Sequence, residues 1–165
     1  MKNLPTIFIV LLLLPLMALG EENDSDGNVQ GYAFVAPGKV HQTSTLHFGG
    51  GAEFDLYKGL GFSTDIGYIG RAQHLGEGGF GILSPNARYA FKISENSKLV
   101  PYVTGGYSLF FVREDAANAF NFGGGIDYWF HDKAGFKVEF RDHVWGALTN
   151  YPDHFWQIRL GLSFR

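Results

Sequence analysis

Two Asp-His pairs, Asp142-His143 and Asp153-His154, are the residues of this chain whose types and spacing could support catalysis. A histidine beside a nucleophile or a carboxylate can act as a base in acyl transfer or hydrolysis, and two neighbouring imidazoles can hold a metal or respond to pH. The strand pattern set out below places His143 near the outer end of one strand and His154 at the start of the next, so the two are expected to be neighbours. The same pattern argues against a dyad, because successive strand residues face opposite ways and Asp142 cannot simply orient His143. No serine is expected beside either histidine, and no fixed ligand spacing marks a metal site. The chain has no cysteine, which excludes disulfides, thiolate metal sites and cysteine nucleophiles. Gly49-Gly50-Gly51 and Gly123-Gly124-Gly125 lack the lysine and following helix of a phosphate loop; within strands they permit curvature instead. The expectation is no enzyme, no metal and no cofactor, with a divalent-cation bridge from Asp142 to an anionic partner as a remaining option.

A second set of charges shares one parity. Glu53, Asp55, Asp65, Asp127 and Glu139, with Arg88, Lys137, Arg141 and Arg159, fall on the polar faces of the expected strands. Acids and bases nearly balance, and buried charges are costly unless paired. A connected salt-bridge network is therefore expected, with Asp127–Lys137 and Glu139–Arg159 as cross-strand pairs. Such a network either fills the lumen or lines a narrow path for ions and small solutes. Eight strands leave no open channel, which favours the plug.

The elements that must position these residues are strands. Phe136, Val138 and Phe140 alternate with Lys137, Glu139 and Arg141, and Trp156, Ile158, Leu160, Leu162 and Phe164 alternate with Gln157, Arg159, Gly161 and Ser163. Period-two patterning of this kind marks half-buried strands. It recurs from Phe120 onward and, less cleanly, from Leu46, Leu60, Leu83 and Val103, while Val29 to Ala36 is apolar on both parities and its facing is undetermined. The count is about eight strands, each near the length a tilted membrane strand requires. Tight connections at Tyr57–Leu60, Ser94–Ser97 and His131–Ala134 alternate with expected longer ones at Gly38–Ser44, Gly70–Gly79, Arg113–Asn118 and Gly146–Asp153. Short turns at one end and longer loops at the other fit an up-and-down membrane barrel with both termini in the periplasm.

In that arrangement aromatic residues should gather at both membrane interfaces. Tyr57 (or Leu56), Tyr89, Phe91, Tyr128, Phe130, Phe136 and Phe164 would form the periplasmic girdle, and Phe48, Tyr68, Phe111, Phe120 and Trp156 the outer one. A soluble barrel would instead turn its apolar parity inward, but that parity holds about four large residues per strand and is too bulky for an eight-stranded interior.

Composition agrees with this reading. The 165 residues allow one domain. Aromatic content is 16 %, charged content 18 %, and there are 23 glycines, about twice the usual glycine share. A formal net charge of −3 shows no basic face for nucleic acid. Met1 to Gly20 reads as a cleaved signal peptide, with Lys2 before the apolar run Ile7 to Leu14 and small residues at Ala18-Leu19-Gly20. Residues 21–28 are acidic and are expected to be a disordered mature N-terminus, followed by the barrel over 29–165.

Gly31-Tyr32-Ala33-Phe34-Val35-Ala36-Pro37-Gly38, Tyr57-Lys58-Gly59-Leu60-Gly61, Leu99-Val100-Pro101-Tyr102-Val103-Thr104-Gly105-Gly106-Tyr107, Asn121-Phe122-Gly123-Gly124-Gly125 and Arg159-Leu160-Gly161-Leu162-Ser163-Phe164-Arg165 resemble the small outer-membrane β-barrel proteins, the OmpA/OmpX-like or "porin family" barrels. The resemblance spans nearly all of the chain after residue 28. It implies a closed, antiparallel, all-β transmembrane barrel without a separate periplasmic domain. It also implies insertion by the barrel-assembly machinery, which commonly recognises a terminal aromatic; here Phe164 is followed by Arg165. The expected setting is outer-membrane lipid and lipopolysaccharide, the expected state a monomer, and the expected role structural or surface-presenting. The alternatives are a narrow pore and a lipid-modifying enzyme.

Overall fold

The computed structural model describes residues 29–74, 78–91, 93–94, 97–112, 115–146 and 153–165. The expected signal peptide and acidic N-terminus lie outside the described residues. Eight strands follow one another: β1 (Val29–Val40), β2 (Thr43–Tyr57), β3 (Leu60–Arg71), β4 (Phe80–Ala90), β5 (Leu99–Val112), β6 (Asp115–His131), β7 (Ala134–Trp145) and β8 (Asp153–Phe164). Each pairs antiparallel with the next, and β8 pairs with β1 to close the barrel. Closure satisfies every wall strand on both sides, the condition for crossing lipid without exposed backbone polar groups.

The wall is polar inside and apolar outside. In β7, Lys137, Glu139 and Arg141 are buried while Phe136, Val138 and Phe140 are about half exposed. In β8, Gln157, Arg159 and Ser163 are buried while Trp156, Ile158, Leu160 and Leu162 face out. This is the inversion of a soluble barrel, and it follows from the solvent: lipid receives the bulky side chains that an eight-stranded interior cannot hold.

The undetermined first strand resolves clearly. Gln30, Tyr32, Phe34 and Ala36 point inward, and Gly31, Ala33, Val35 and Pro37 outward. Two expected loops are corrected. Strands β1 and β2 run through most of 38–44 and leave only His41 and Gln42 as a turn, with His41 at φ 51°. Strand β6 likewise runs through most of 113–118, starting at Asp115, with β5 ending just before at Val112. Polar residues continue these strands beyond the apolar belt, where water replaces lipid. Connection length therefore does not distinguish the two ends. The termini do, and the end carrying Val29 and Phe164 is the periplasmic one in this architecture. At that end Lys58 and Gly59 both have positive φ, 48° and 87°, the conformation of a two-residue hairpin turn. A Cβ at Gly59 would meet the Ala90 carbonyl at 2.3 Å.

Candidate functional site

The lumen contains three layers, built from side chains of all eight strands. The first, toward the periplasm, is ionic. Arg88 meets Asp127 at 2.6 Å, Asp55 at 3.4 Å and Glu53 at 3.6 Å, and Lys137 meets Asp127 at 2.7 Å and Glu53 at 3.0 Å. Deeper, Arg141 meets Asp65 at 2.5 Å and Glu139 at 2.7 Å, and Arg159 meets Asp65 at 3.0 Å and Glu139 at 3.6 Å. All of these except Asp55 are buried; Asp55 sits at the rim with its side chain 35 % exposed. Each deep cation faces two acids and each deep acid two cations, the condition under which buried charge is tolerable.

Two inward tyrosines join the ionic groups. Tyr32 donates to Asp65, and Tyr102 donates to Glu139 at 2.8 Å. The Lys137 ammonium lies 4.4 Å from the Tyr102 ring centre and 5.1 Å from that of Tyr32, and the Arg88 guanidinium 4.4 Å from Tyr102. These are cation–π distances. Gly51 and Gly125 make room for the phenols: a Cβ there would stand 2.5 Å from the Tyr32 oxygen and 2.8 Å from the Tyr102 oxygen respectively.

The second layer is polar and neutral. Arg159 can only donate, so the Gln157 amide oxygen turns toward it, accepting from Nε and Nη2 at 3.1 Å and from His143 Nε2 at 3.1 Å. The Gln157 nitrogen then donates to His47 Nδ1 at 2.8 Å. With its proton on Nε2, His143 accepts at Nδ1 from the Ser108 hydroxyl at 3.0 Å. Ser108 in turn contacts Ser84 at 2.8 Å and accepts from Asn121 at 2.9 Å.

The third layer is an apolar seal at the outer end. Ile69, Ile82, Phe110, Ala119 and Phe155 are buried together, with Val40, Phe80 and Trp145 packed against them. The Phe110 ring lies 4.9 Å from that of Trp145, and the Phe155 ring stacks on His143 at 5.3 Å. The periplasmic end instead opens into a cavity of about 640 Å³ bounded by Asp55, Arg88, Asp127, Trp129 and Arg165.

The structure separates the two histidines that sequence spacing placed side by side. His143 points into the lumen, while His154 lies on the outer wall, 51 % exposed, with Nδ1 2.7 Å from Asp142. Register explains the split: His143 pairs with Phe155 and Val144 with His154, so the two imidazoles have opposite parity. Asp142 thus meets the histidine of the next strand, not its own neighbour. The expectation that no serine accompanies either histidine is also corrected, since Ser108 reaches His143 from β5. Ser108, His143 and Gln157 stand in the order of nucleophile, base and orienting group, and each has 0 % exposure, enclosed between the ionic layer and the outer seal.

The expected interface aromatics are on the wall. Phe48 packs on half-buried Tyr68 at 5.4 Å toward the outer end, where Phe111, Phe120 and Trp156 are exposed. Tyr89 packs on Phe91 at 5.1 Å and Phe130 on Phe136 at 4.8 Å toward the termini, with Tyr128 and Phe164 exposed nearby. Phe122 and Phe140 lie between the two bands.

A closed eight-stranded wall, apolar outward and ionic inward, decides the family together with the sequence match. Residues 6–164 match the family described as outer membrane protein beta-barrel domain. The chain belongs to that family. Several solved structures share the barrel, three of them as follows. The N-terminal β-barrel domain of Pseudomonas aeruginosa OprF superposes with a TM-score of 0.60 at 17 % identity, over 83 % of this chain and 96 % of that one. Neisserial surface protein A gives 0.58 at 15 % identity, over 82 % and 94 %. The outer membrane enzyme PagL gives 0.50 at 16 % identity, over 81 % and 99 %. At these identities the likeness is one of fold alone, and a fold that also carries an enzyme does not decide catalysis. No curated protein matches the chain by sequence.

Proposed function

We propose that this outer-membrane barrel is a sealed, non-catalytic structural element that holds its outer turns at the cell surface. It sits as a monomer in lipid and lipopolysaccharide after insertion by the barrel-assembly machinery. The observation that carries this reading is the pairing of every buried lumenal charge beneath a layer of packed aromatic rings. A conducting path needs hydrated, uncommitted groups along its length, and the ionic layer offers none. The inaccessible Ser108–His143 pair supports the non-catalytic part of the reading. Planar-bilayer recording of the refolded chain tests it. Heat-modifiable insertion with no steady conductance is expected; reproducible single-channel steps would replace the seal with a narrow ion or small-solute pore.

A further inference from the structure

The periplasmic mouth carries cations that the lumenal network leaves unused. Lys58, Lys98 and Lys133 are exposed on the three turns at this end, and Arg165 follows β8. Among the described residues, none of these side chains meets a carboxylate. Lys58 lies over the Tyr57 ring at 5.0 Å, and Arg165 lies over Trp129 at 4.2 Å while donating to the Asp132 carbonyl at 2.7 Å. The 640 Å³ cavity touches Lys58, Lys133 and Arg165, and a second cavity of about 520 Å³ shares Trp129, Asp132 and Arg165 with it and adds Lys98. Among the described residues, the acids at this mouth are Asp55, Asp127 and Asp132; Asp55 is engaged by Arg88, and Asp127 by Arg88 and Lys137.

The sequence supplies an anion of the right kind at the right place. Residues 21–28 read Glu-Glu-Asn-Asp-Ser-Asp-Gly-Asn, with four carboxylates and no basic side chain. They run directly into Val29, and Gln30 lines the larger cavity. Eight residues reach at most about 26–29 Å when extended and about 15 Å as a flexible chain. So short a tether holds its charges at roughly millimolar effective concentration, where weak ion pairs suffice. We propose that the periplasmic mouth is a docking site for the chain's own acidic segment, residues 21–28, which binds Lys58, Lys98, Lys133 and Arg165 through charge.

The absence of native cysteine makes the test direct. Ser25→Cys and Asp132→Cys, in the exported chain folded in lipid vesicles, are joined with a short bismaleimide. Crosslinking should slow several-fold when Glu21→Gln, Glu22→Gln, Asp24→Asn and Asp26→Asn are added, and equally when Lys58, Lys98 and Lys133 are changed to Gln. It should also slow in molar salt, which screens such pairs. A rate indifferent to the acids, or sensitive to the acids but not to the lysines, overturns the proposal. Inorganic pyrophosphate followed by tryptophan fluorescence should bind the acid-neutralised chain more tightly than the intact one; equal binding would assign the mouth to a free anion and also overturn it. None of these readouts depends on whether the barrel conducts.

Discussion

The two halves of the lumen are closed by different physics. The periplasmic half is filled by full charges, each buried one with at least two partners, and the outer half by aromatic rings and aliphatic side chains over a neutral hydrogen-bonded layer. In the charged half the cost of a lesion comes from the groups left behind, because an unpaired buried ion is far worse than an absent one. In the apolar half the cost is only that of lost contacts and the space they leave. A small barrel thus has one region that responds to mutation abruptly and one that responds by degrees.

Four substitutions separate these behaviours. Asp65→Ala removes the acceptor shared by Tyr32, Asn86, Arg141 and Arg159 and should cost about 3–5 kcal/mol in urea unfolding from lipid vesicles. A cost near that of an apolar truncation would erase the contrast. Phe140→Arg sets the inside against the outside: an arginine is at home in the lumen at 141, but one residue earlier it would face hydrocarbon, for a loss of about 2–4 kcal/mol. Unchanged stability in the same assay would mean that residue 140 does not meet lipid. Ser108→Ala leaves His143 Nδ1 without its donor and should cost about 1–3 kcal/mol, an intermediate value in keeping with a neutral group. A value matching Asp65→Ala would place the middle layer with the ions. Ile82→Val, within the outer seal, should cost about 0.5–1.5 kcal/mol and leave the membrane impermeable, as a dye-release measurement would register.

Strand parity made the wall and the charged layer legible before any coordinates. Lys137, Glu139 and Arg141 alternate with large apolar residues, and that pattern has one stable solution in lipid. The same logic could have found the outer seal. Phe110-Phe111 and Phe155-Trp156 are consecutive aromatics, so one of each pair must face inward. Tyr32 was hidden because β1 is apolar on both parities. The layer of His47, Gln157, His143, Ser108 and Ser84 was illegible for another reason. Its members come from β2, β8, β7, β5 and β4, and contacts across a lumen leave no periodic trace along the chain. His143 and His154 misled in the opposite direction, since proximity along paired strands says nothing about facing until the register is known.

The pairing of β1 with β8 runs from Gly31–Val35 against Leu160–Phe164 and resumes at Gly38–Val40 against Phe155–Gln157, leaving out Ala36 and Pro37. Proline has no N–H to contribute to such a ladder. This seam also joins the most distant parts of the chain, so it carries the largest loop-closure entropy of any strand pair. By closure entropy alone it is the costliest join to make as the sheet curls round on itself, and the one whose opening would free the most chain.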